Sequence, residues 1–289
     1  MFFNVIHYTR YDYSQPVTFA PHALYLRPRE SSKQRLHEYS LSVSPEAKRV
    51  HTTDAEDNAL DYLYFNGQSS ILELTSQCLV ETRNSNPFDF ILEPYALLFP
   101  FAYADSDSFV LRPYLVTPHG TNPSELSTWL EEYMPSPPSD SISFIRTLNA
   151  AVCFSLLYVK RDEPGIQTPR ETLERGSGSC RDYAVLLIAL CRQLGVAARF
   201  VSGYVYEPVD PSLINPPVLS MHAWVEVYLP GGGWCGVDPS RGIFCDDNFI
   251  AVAHTSRAET VNPIRGNFYS PVPAHAKLST HLLIENKGP

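Results

Sequence analysis

Arg175-Gly176-Ser177-Gly178-Ser179-Cys180-Arg181-Asp182-Tyr183-Ala184 is the stretch that decides how this chain reads. A glycine-punctuated turn runs directly into a segment with Ala184, Leu187, Ile188 and Cys191 at helical spacing, and Gly195 supplies a stop. Cys180 therefore opens a helix. A thiol at that position feels the partial positive charge of the unpaired amides, which lowers its pKa below the roughly 8.5 of a free cysteine. Gly176 and Gly178 allow a tight turn and a close approach of a substrate carbonyl to the backbone. The pattern is that of a nucleophile in need of a base.

A base and its orienting group follow in His222-Ala223-Trp224-Val225-Glu226-Val227-Tyr228-Leu229-Pro230 and Gly231-Gly232-Gly233-Trp234-Cys235-Gly236-Val237-Asp238-Pro239. Alternation from His222 to Leu229 predicts a strand, Pro230 and three glycines predict a hairpin turn, and Trp234 to Asp238 predicts the return strand. A histidine at the start of one strand then lies beside an aspartate at the end of the next. One imidazole nitrogen meets the carboxylate and the other is free for Cys180, the geometry of a Cys-His-Asp triad.

Three blocks in order carry a family likeness: the GxGxCRDxA turn at Cys180, Arg199 to Tyr206, and His222 to Gly242. Together they resemble the bacterial transglutaminase-like superfamily, related in core design to papain-like thiol enzymes. The resemblance covers roughly residues 140–270. It implies Cys180 as nucleophile, His222 as base and Asp238 as the group that orients the imidazole. Tyr8 to Tyr13, Leu26-Arg27-Pro28-Arg29, Gln34 and Asp54 to Asn58 are similar to the β-rich domain that precedes the core in these bacterial proteins. Asp57 stands where glycine is common in that last turn. Aspartate tolerates left-handed backbone angles better than most residues, so the turn is expected to form.

The remaining residues set bounds on the class of protein. At 289 residues, with 44% hydrophobic and 18% charged, the chain can fill two cores. A net charge of −9 with no basic face argues against nucleic acid. No run of about 18 apolar residues offers a membrane span. Met1-Phe2-Phe3-Asn4 lacks the pattern of a secretion signal, so a cytoplasmic location is the expectation. The six cysteines form no CxxC pair, which speaks against a metal site, and no cofactor is expected. Cys153 and Cys191 read as core filling, and Cys235 with Cys245 as a pair only in an oxidising compartment.

The predicted fold class is α+β, a papain-like transglutaminase core with helices packed on an antiparallel sheet, preceded by an antiparallel β-sandwich. The division falls at residues 1–115 and 116–289. Strands are predicted at Asn4 to Tyr13, Leu36 to Ser44, Ala59 to Phe65 and Ile71 to Thr82. Prolines from Pro94 to Pro118 exclude long helices there. A helix is predicted from Pro123 to about Met134, and another follows a cap at Ser139 or Asp140. Thr168-Pro169-Arg170-Glu171 makes a capping box for a short helix that delivers the chain to Gly176. Val196 to Tyr206 completes the sheet with the hairpin. Trp224 and Trp234 read as packing residues beside the cleft. Tyr204 either enters the cleft or fills the core, and Asp182 suits the helix dipole.

The expected chemistry is attack of the Cys180 thiolate on an amide of a peptide or protein, with the Cys180 N–H and a second donor, Gln167 or Tyr158, at the oxyanion. Water gives a peptidase or amidase, and an amine gives a transglutaminase. Hydrolysis is preferred because water is always present. A binding scaffold without catalysis is the alternative of another class. By analogy with similar bacterial proteins, trimming of a small cytoplasmic peptide beside a ligase-like partner is a third. The segments Pro94 to Pro118 and Glu207 to Leu219 are each placed to cover the site.

Overall fold

Alternating apolar side chains make one long strand of Phe2–Phe19, with Phe3, Val5, His7 and Thr9 turned inward. It is the spine of the amino-terminal half. The computed structural model describes residues 1–161, 163, 165–208 and 219–288. The first strands are β1 (Phe2–Phe19), β2 (His22–Leu24), β3 (Gln34–Ser44), β4 (Ala47–Thr53), β5 (Ala59–Phe65) and β6 (Ser69–Thr82). Next come helices α1 (Asp105–Leu111), α2 (Pro123–Tyr133) and α3 (Ser141–Ser155), then β7 (Leu157–Tyr158), α4 (Pro169–Arg175), β8 (Ser177–Gly178) and α5 (Cys180–Gln193). The chain continues with β9 (Ala198–Val205), β10 (His222–Leu229), β11 (Gly233–Asp238), β12 (Ile243–Phe244) and β13 (Phe249–Thr255). It ends with β14 (Ile264–Arg265), β15 (Phe268–Tyr269) and β16 (Ala276–Asn286).

β1 lies between β6 and β16, both antiparallel to it, with β3 beyond β6. A second sheet has the order β14-β2-β5-β4. Tyr13, Val17, Leu72 and Leu74 from the first sheet meet Leu24 and Leu63 from the second in one apolar cluster. The carboxy-terminal strands β14, β15 and β16 pair with β2 and β1, so the last residues of the chain close on the first.

The third sheet carries the site. Its order is β12-β11-β10-β9-β13, antiparallel throughout. On one face Leu186, Leu187 and Leu190 of α5 pack with Val225, Val227 and Val237, and Leu148 and Val152 of α3 close the cluster. On the other, Tyr204 and Ile250 meet Phe3, Val5 and Cys78 of the amino-terminal sheet. Both faces are covered, which is why all eight residues of β9 are buried. The α+β arrangement expected from the sequence is the one the chain adopts.

Side-chain amides finish the outer edge of β13. Gln34 donates Nε2 to Ala251 O (2.9 Å) and accepts from Ala251 N–H (2.8 Å). Asn58, fully buried, donates to His254 O (2.7 Å) and accepts from His254 N–H (2.8 Å). Each satisfies an unpaired strand group that would otherwise be buried without a partner. The Asn58 turn forms as expected, with Asp57 at φ +62° and Asp54 Oδ1 accepting from the N–H groups of Glu56 and Asn58. Nearby, Glu226 is paired with Arg199 (2.6 Å) and Arg29 (3.4 Å). Burial works to raise the Glu226 pKa, but the two guanidinium charges hold it below the ordinary carboxylate value.

Several readings left open by the sequence now resolve. Tyr204 is a core residue, fully buried and 3.2 Å from His7 Nδ1 through its hydroxyl, and does not enter a cleft. Cys235 and Cys245 belong to clusters on opposite faces of the sheet and are both free, so they do not pair. On β5 Leu60, Asp61 and Leu63 are buried, and Asp61 is paired with Arg49 and bonded to His51. The Pro94–Pro118 segment binds the far end of the hairpin, with Tyr103 donating to Tyr228 O (2.8 Å) and Tyr114 packed on Trp234.

Gly203 sits where a Cβ would lie 2.2 Å from Ile250 O and 2.6 Å from the Trp224 ring. Because one of those atoms is backbone, Gly203→Ala is expected to cost about 1–3 kcal/mol or more of stability by overpacking. A urea titration should show the midpoint fall with an unchanged slope.

Candidate active site

The turn that presents Cys180 is built from both sides. Thr168 and Glu171 make the predicted capping box of α4, with Pro169 in its first turn, and Gly176 ends it in the left-handed region at φ +60°. The chain then pairs in parallel with β7, where Leu157 N–H donates to Gly176 O and Val159 N–H to Gly178 O. Ser179 caps α5. Asp182, with no solvent exposure, gathers the turn: it accepts from Ser179 N–H and Oγ (2.8 Å each), Gln167 N–H (2.8 Å) and Arg161 Nη1 (2.7 and 2.8 Å). Burial acts to raise its pKa, and these donors, Arg161 first, bring it below the ordinary value. A Cβ at Gly178 would stand 2.7 Å from Asp182 Cβ, so the close approach needs glycine.

His222 opens β10 opposite Gly203, and Asp238 closes β11. His222 Nε2 lies 2.7 Å from Asp238 Oδ2, which leaves Nδ1 for Cys180. Asp238 Oδ1 accepts from Ser240 N–H (2.9 Å) and Oγ (2.7 Å), and Arg241 Nε stands 3.3 Å from Oδ2. Asn149 of α3, fully buried, donates to Asp238 O (3.3 Å) and Ile243 O (3.2 Å), tying the β11 end to the helical layer. Trp224 packs beside the imidazole, with ring centres 6.4 Å apart.

The electrostatics couple the thiol and the imidazole. Burial opposes the charged form of each. In Cys180 the hydrogen bond and charge of His222, together with the Ala223 N–H, outweigh it and bring the thiol pKa below its ordinary value. In His222 the bonds to Asp238 and Cys180 outweigh it and push the pKa up to about 9. The pair is therefore disposed to exist as thiolate and imidazolium. Tyr158 stands against the same sulfur: burial, then the Cys180 charge and hydrogen bond, push its phenol up to about 12, and it also meets the Cys180 backbone N–H.

Residues 129–239 match the transglutaminase-like superfamily, and residues 3–81 match the bacterial transglutaminase-like N-terminal region. Residues 129–239 are thus a transglutaminase-like core, and residues 3–81 the N-terminal region of the bacterial members. A candidate cysteine protease from Cytophaga hutchinsonii has the same fold, at a TM-score of 0.78 and 18% identity, over 100% of this chain and 91% of that one. An uncharacterised protein of Mycobacterium tuberculosis strain H37Rv is 28% identical over 285 residues, 93% of this chain and 88% of its own. A protein-glutamine gamma-glutamyltransferase of Pseudomonas aeruginosa is 37% identical over 68 residues, covering 22% of this chain and 10% of its own.

Within this superfamily fold the three residues singled out from the sequence, Cys180, His222 and Asp238, lie together at one end of the sheet. Of the two residues considered as a second oxyanion donor, Tyr158 reaches the sulfur. In Gln167 the side-chain Oε1 accepts from Thr172 Oγ1 (3.1 Å) and the N–H is held by Asp182. Trp234 pairs with Tyr228, six residues along β10 from His222, or about 20 Å at strand rise, so it does not flank the cleft. The Pro94–Pro118 segment is equally remote. Of the other covering segment, residues 209–218 lie outside the described residues. Ser240, Asn149 and Arg161 escaped sequence reasoning. Only Ser240, two residues after Asp238, carried a local signal, as an Asx-type turn. Among the described residues, no helix is long and apolar enough to cross a membrane.

Two outcomes follow from these contacts. The rate of Cys180 alkylation by iodoacetamide against pH should rise at a pH below the ordinary thiol range and show a second inflection near 9, where His222 loses its proton. Asp182→Ala should destabilise the fold by about 3–5 kcal/mol, because it strands Arg161 and three donors. The Asp182 contribution has a definite sign, since its folded pKa is depressed. It is complete above the ordinary carboxylate pKa and is lost as pH falls below it, so wild type and variant should converge in acid denaturation.

Proposed function

We propose that the protein carries out thiol-dependent acyl chemistry on an amide of a peptide or protein, and that the resting outcome is hydrolysis. The observation that carries this reading is the 2.7 Å His222–Asp238 bond in line with a buried thiol of lowered pKa. In this mechanism the Cys180 thiolate attacks the carbonyl carbon and the carbonyl electron pair moves to oxygen. The oxyanion accepts hydrogen bonds from the Cys180 N–H at the start of α5 and from the Tyr158 hydroxyl, which its raised pKa keeps protonated. Collapse breaks the C–N bond, His222 gives its proton to the departing amine, and a thioester to Cys180 remains. Water, giving its proton to His222, attacks the thioester and releases the acid with return of the thiolate. Asp238 keeps the imidazole oriented in both halves and stays ionised.

The second reading, transfer to an amine, differs only in the acceptor, and the similarity to the protein-glutamine gamma-glutamyltransferase of Pseudomonas aeruginosa favours it. The two separate in one assay. Peptides containing glutamine and internal amides are incubated in ¹⁸O-labelled water with and without a fluorescent primary amine, and products are read by mass spectrometry. Label in a new carboxylate supports hydrolysis, whereas amine adducts that suppress it support transfer. Cys180→Ala should abolish both. If neither product forms with any peptide while the thiol remains ordinary, a binding scaffold becomes the better reading.

Tyr158→Phe gives a separate expectation. Loss of one oxyanion donor should lower kcat by about 10²–10³-fold with KM little changed. Alkylation of Cys180 should fall far less than turnover, since the thiolate rests chiefly on His222 and loses only the one hydrogen bond from the Tyr158 hydroxyl.

A further inference from the structure

Arg241 meets the site from a direction the proposed chemistry does not use. Its Nε lies 3.3 Å from Asp238 Oδ2, the oxygen that also bonds His222 Nε2. Its Nη2 is paired with Glu207, and its guanidinium lies 6.0 Å over the ring of Phe249, which packs on Trp224 and His222. The guanidinium is thus held by three groups on three segments. Among the described residues it is the one cation besides His222 within 4 Å of the Asp238 carboxylate.

We infer that Arg241 is a positioning residue, acting through Asp238: by sharing the oxygen bonded to His222 it fixes the carboxylate in line with the imidazole and moderates its pull on the imidazolium. The inference rests on the proposed thiol chemistry. The physical reason is that a carboxylate with one cation already attached stabilises a second cation less strongly than a bare one. Asp238 therefore orients His222 without locking its proton so firmly that it cannot pass to a leaving amine. The other groups facing the pair are Cys180 of α5, Tyr158 of β7, Cys153 of α3 and Cys245 between β12 and β13, with Glu207 beyond Arg241. None of these is a cation, so among the described residues the charge of Arg241 has no substitute at the carboxylate.

The test is the pH profile of Cys180 alkylation by iodoacetamide in the wild type, Arg241→Met and Arg241→Lys. Removing the cation stabilises the imidazolium and destabilises the thiolate, so both inflections should move to higher pH in Arg241→Met. The ion pair is partly exposed, which limits the expected shift to about half a pH unit. Arg241→Lys, which keeps a cation within reach, should restore the wild-type inflections. Thermal denaturation of each variant separates folding from charge. A lowered Tm in Arg241→Met with unmoved inflections, or a Lys variant that shifts as far as Met, would overturn the inference. A wild-type profile with a single inflection at the ordinary thiol pKa would instead count against the proposed chemistry, and would show it before any variant is compared.

Discussion

A carboxylate with no access to solvent, Asp182, fixes the turn from which everything else at the site is measured. Four separate donor groups converge on it, from the cap residue, from the chain before α4 and from the guanidinium of Arg161. A buried charge is tolerable only when its lone pairs are filled, and here they are. The consequence is geometric. Ser179 is held at the helix start, Gly178 is pressed against Asp182, and the first free amide of α5 belongs to the residue that carries the thiol. The same residue was legible in the sequence as an acidic group suited to a helix N-terminus, but its role is larger than a dipole interaction.

The sheet supplies the second half of the site by register alone. β10 places His222 opposite Gly203, and its hairpin partner ends at Asp238. Because side chains alternate, Ala223, Val225 and Val227 turn toward α5, while Trp224 and Glu226 turn toward the amino-terminal strands. His222 sits at the strand end, where the helical layer gives way and the imidazole can reach a sulfur on α5. Gly203 removes the one Cβ that would displace Trp224, and Gly236 does the same beneath Cys245. The amino-terminal sheets therefore contribute to the site without supplying a catalytic group. They complete β13 through Gln34 and Asn58 and hold the far face of the sheet to a fixed position.

What could be read beforehand divides along the same physical line. Local signals were legible: the glycine turn, the capping box of α4, the hairpin prolines and glycines, and the left-handed Asp57. Periodic strands of the half-buried kind were legible as well. β4 was not, because Ala47–Thr53 is almost wholly exposed and shows no alternation. β13 and β16 were missed because their places depend on partners far away in the chain, Gln34 and Asn58 for one and β1 for the other. The Cys-His-Asp constellation was visible because each member ends or begins an element with a turn signal. Asn149 and Arg161 were not, since each acts on a backbone or carboxylate that only the fold brings near, from α3 and from the stretch after β7.

Two ionic clusters bracket the sheet, and the contrast between them explains why one is chemically idle. Glu226 with Arg199 and Arg29 is closed: burial opposes the charge of Glu226, two cations answer it, and Arg199 is itself covered by Trp234 at 4.1 Å. No member has an unused partner to offer. At the other end burial also opposes the charges of Cys180 and His222, and their mutual attraction answers it only while both stay charged. Asp238 and the Ala223 N–H favour that state, yet the sulfur keeps a side open toward Tyr158 and the Cys180 amide. In the proposed chemistry an acyl carbon arriving there takes up the thiolate charge and leaves the imidazolium facing a carboxylate and a leaving group. The charges of the first cluster are already spent on one another, whereas under the proposed chemistry the second keeps one of its charges for an incoming carbonyl.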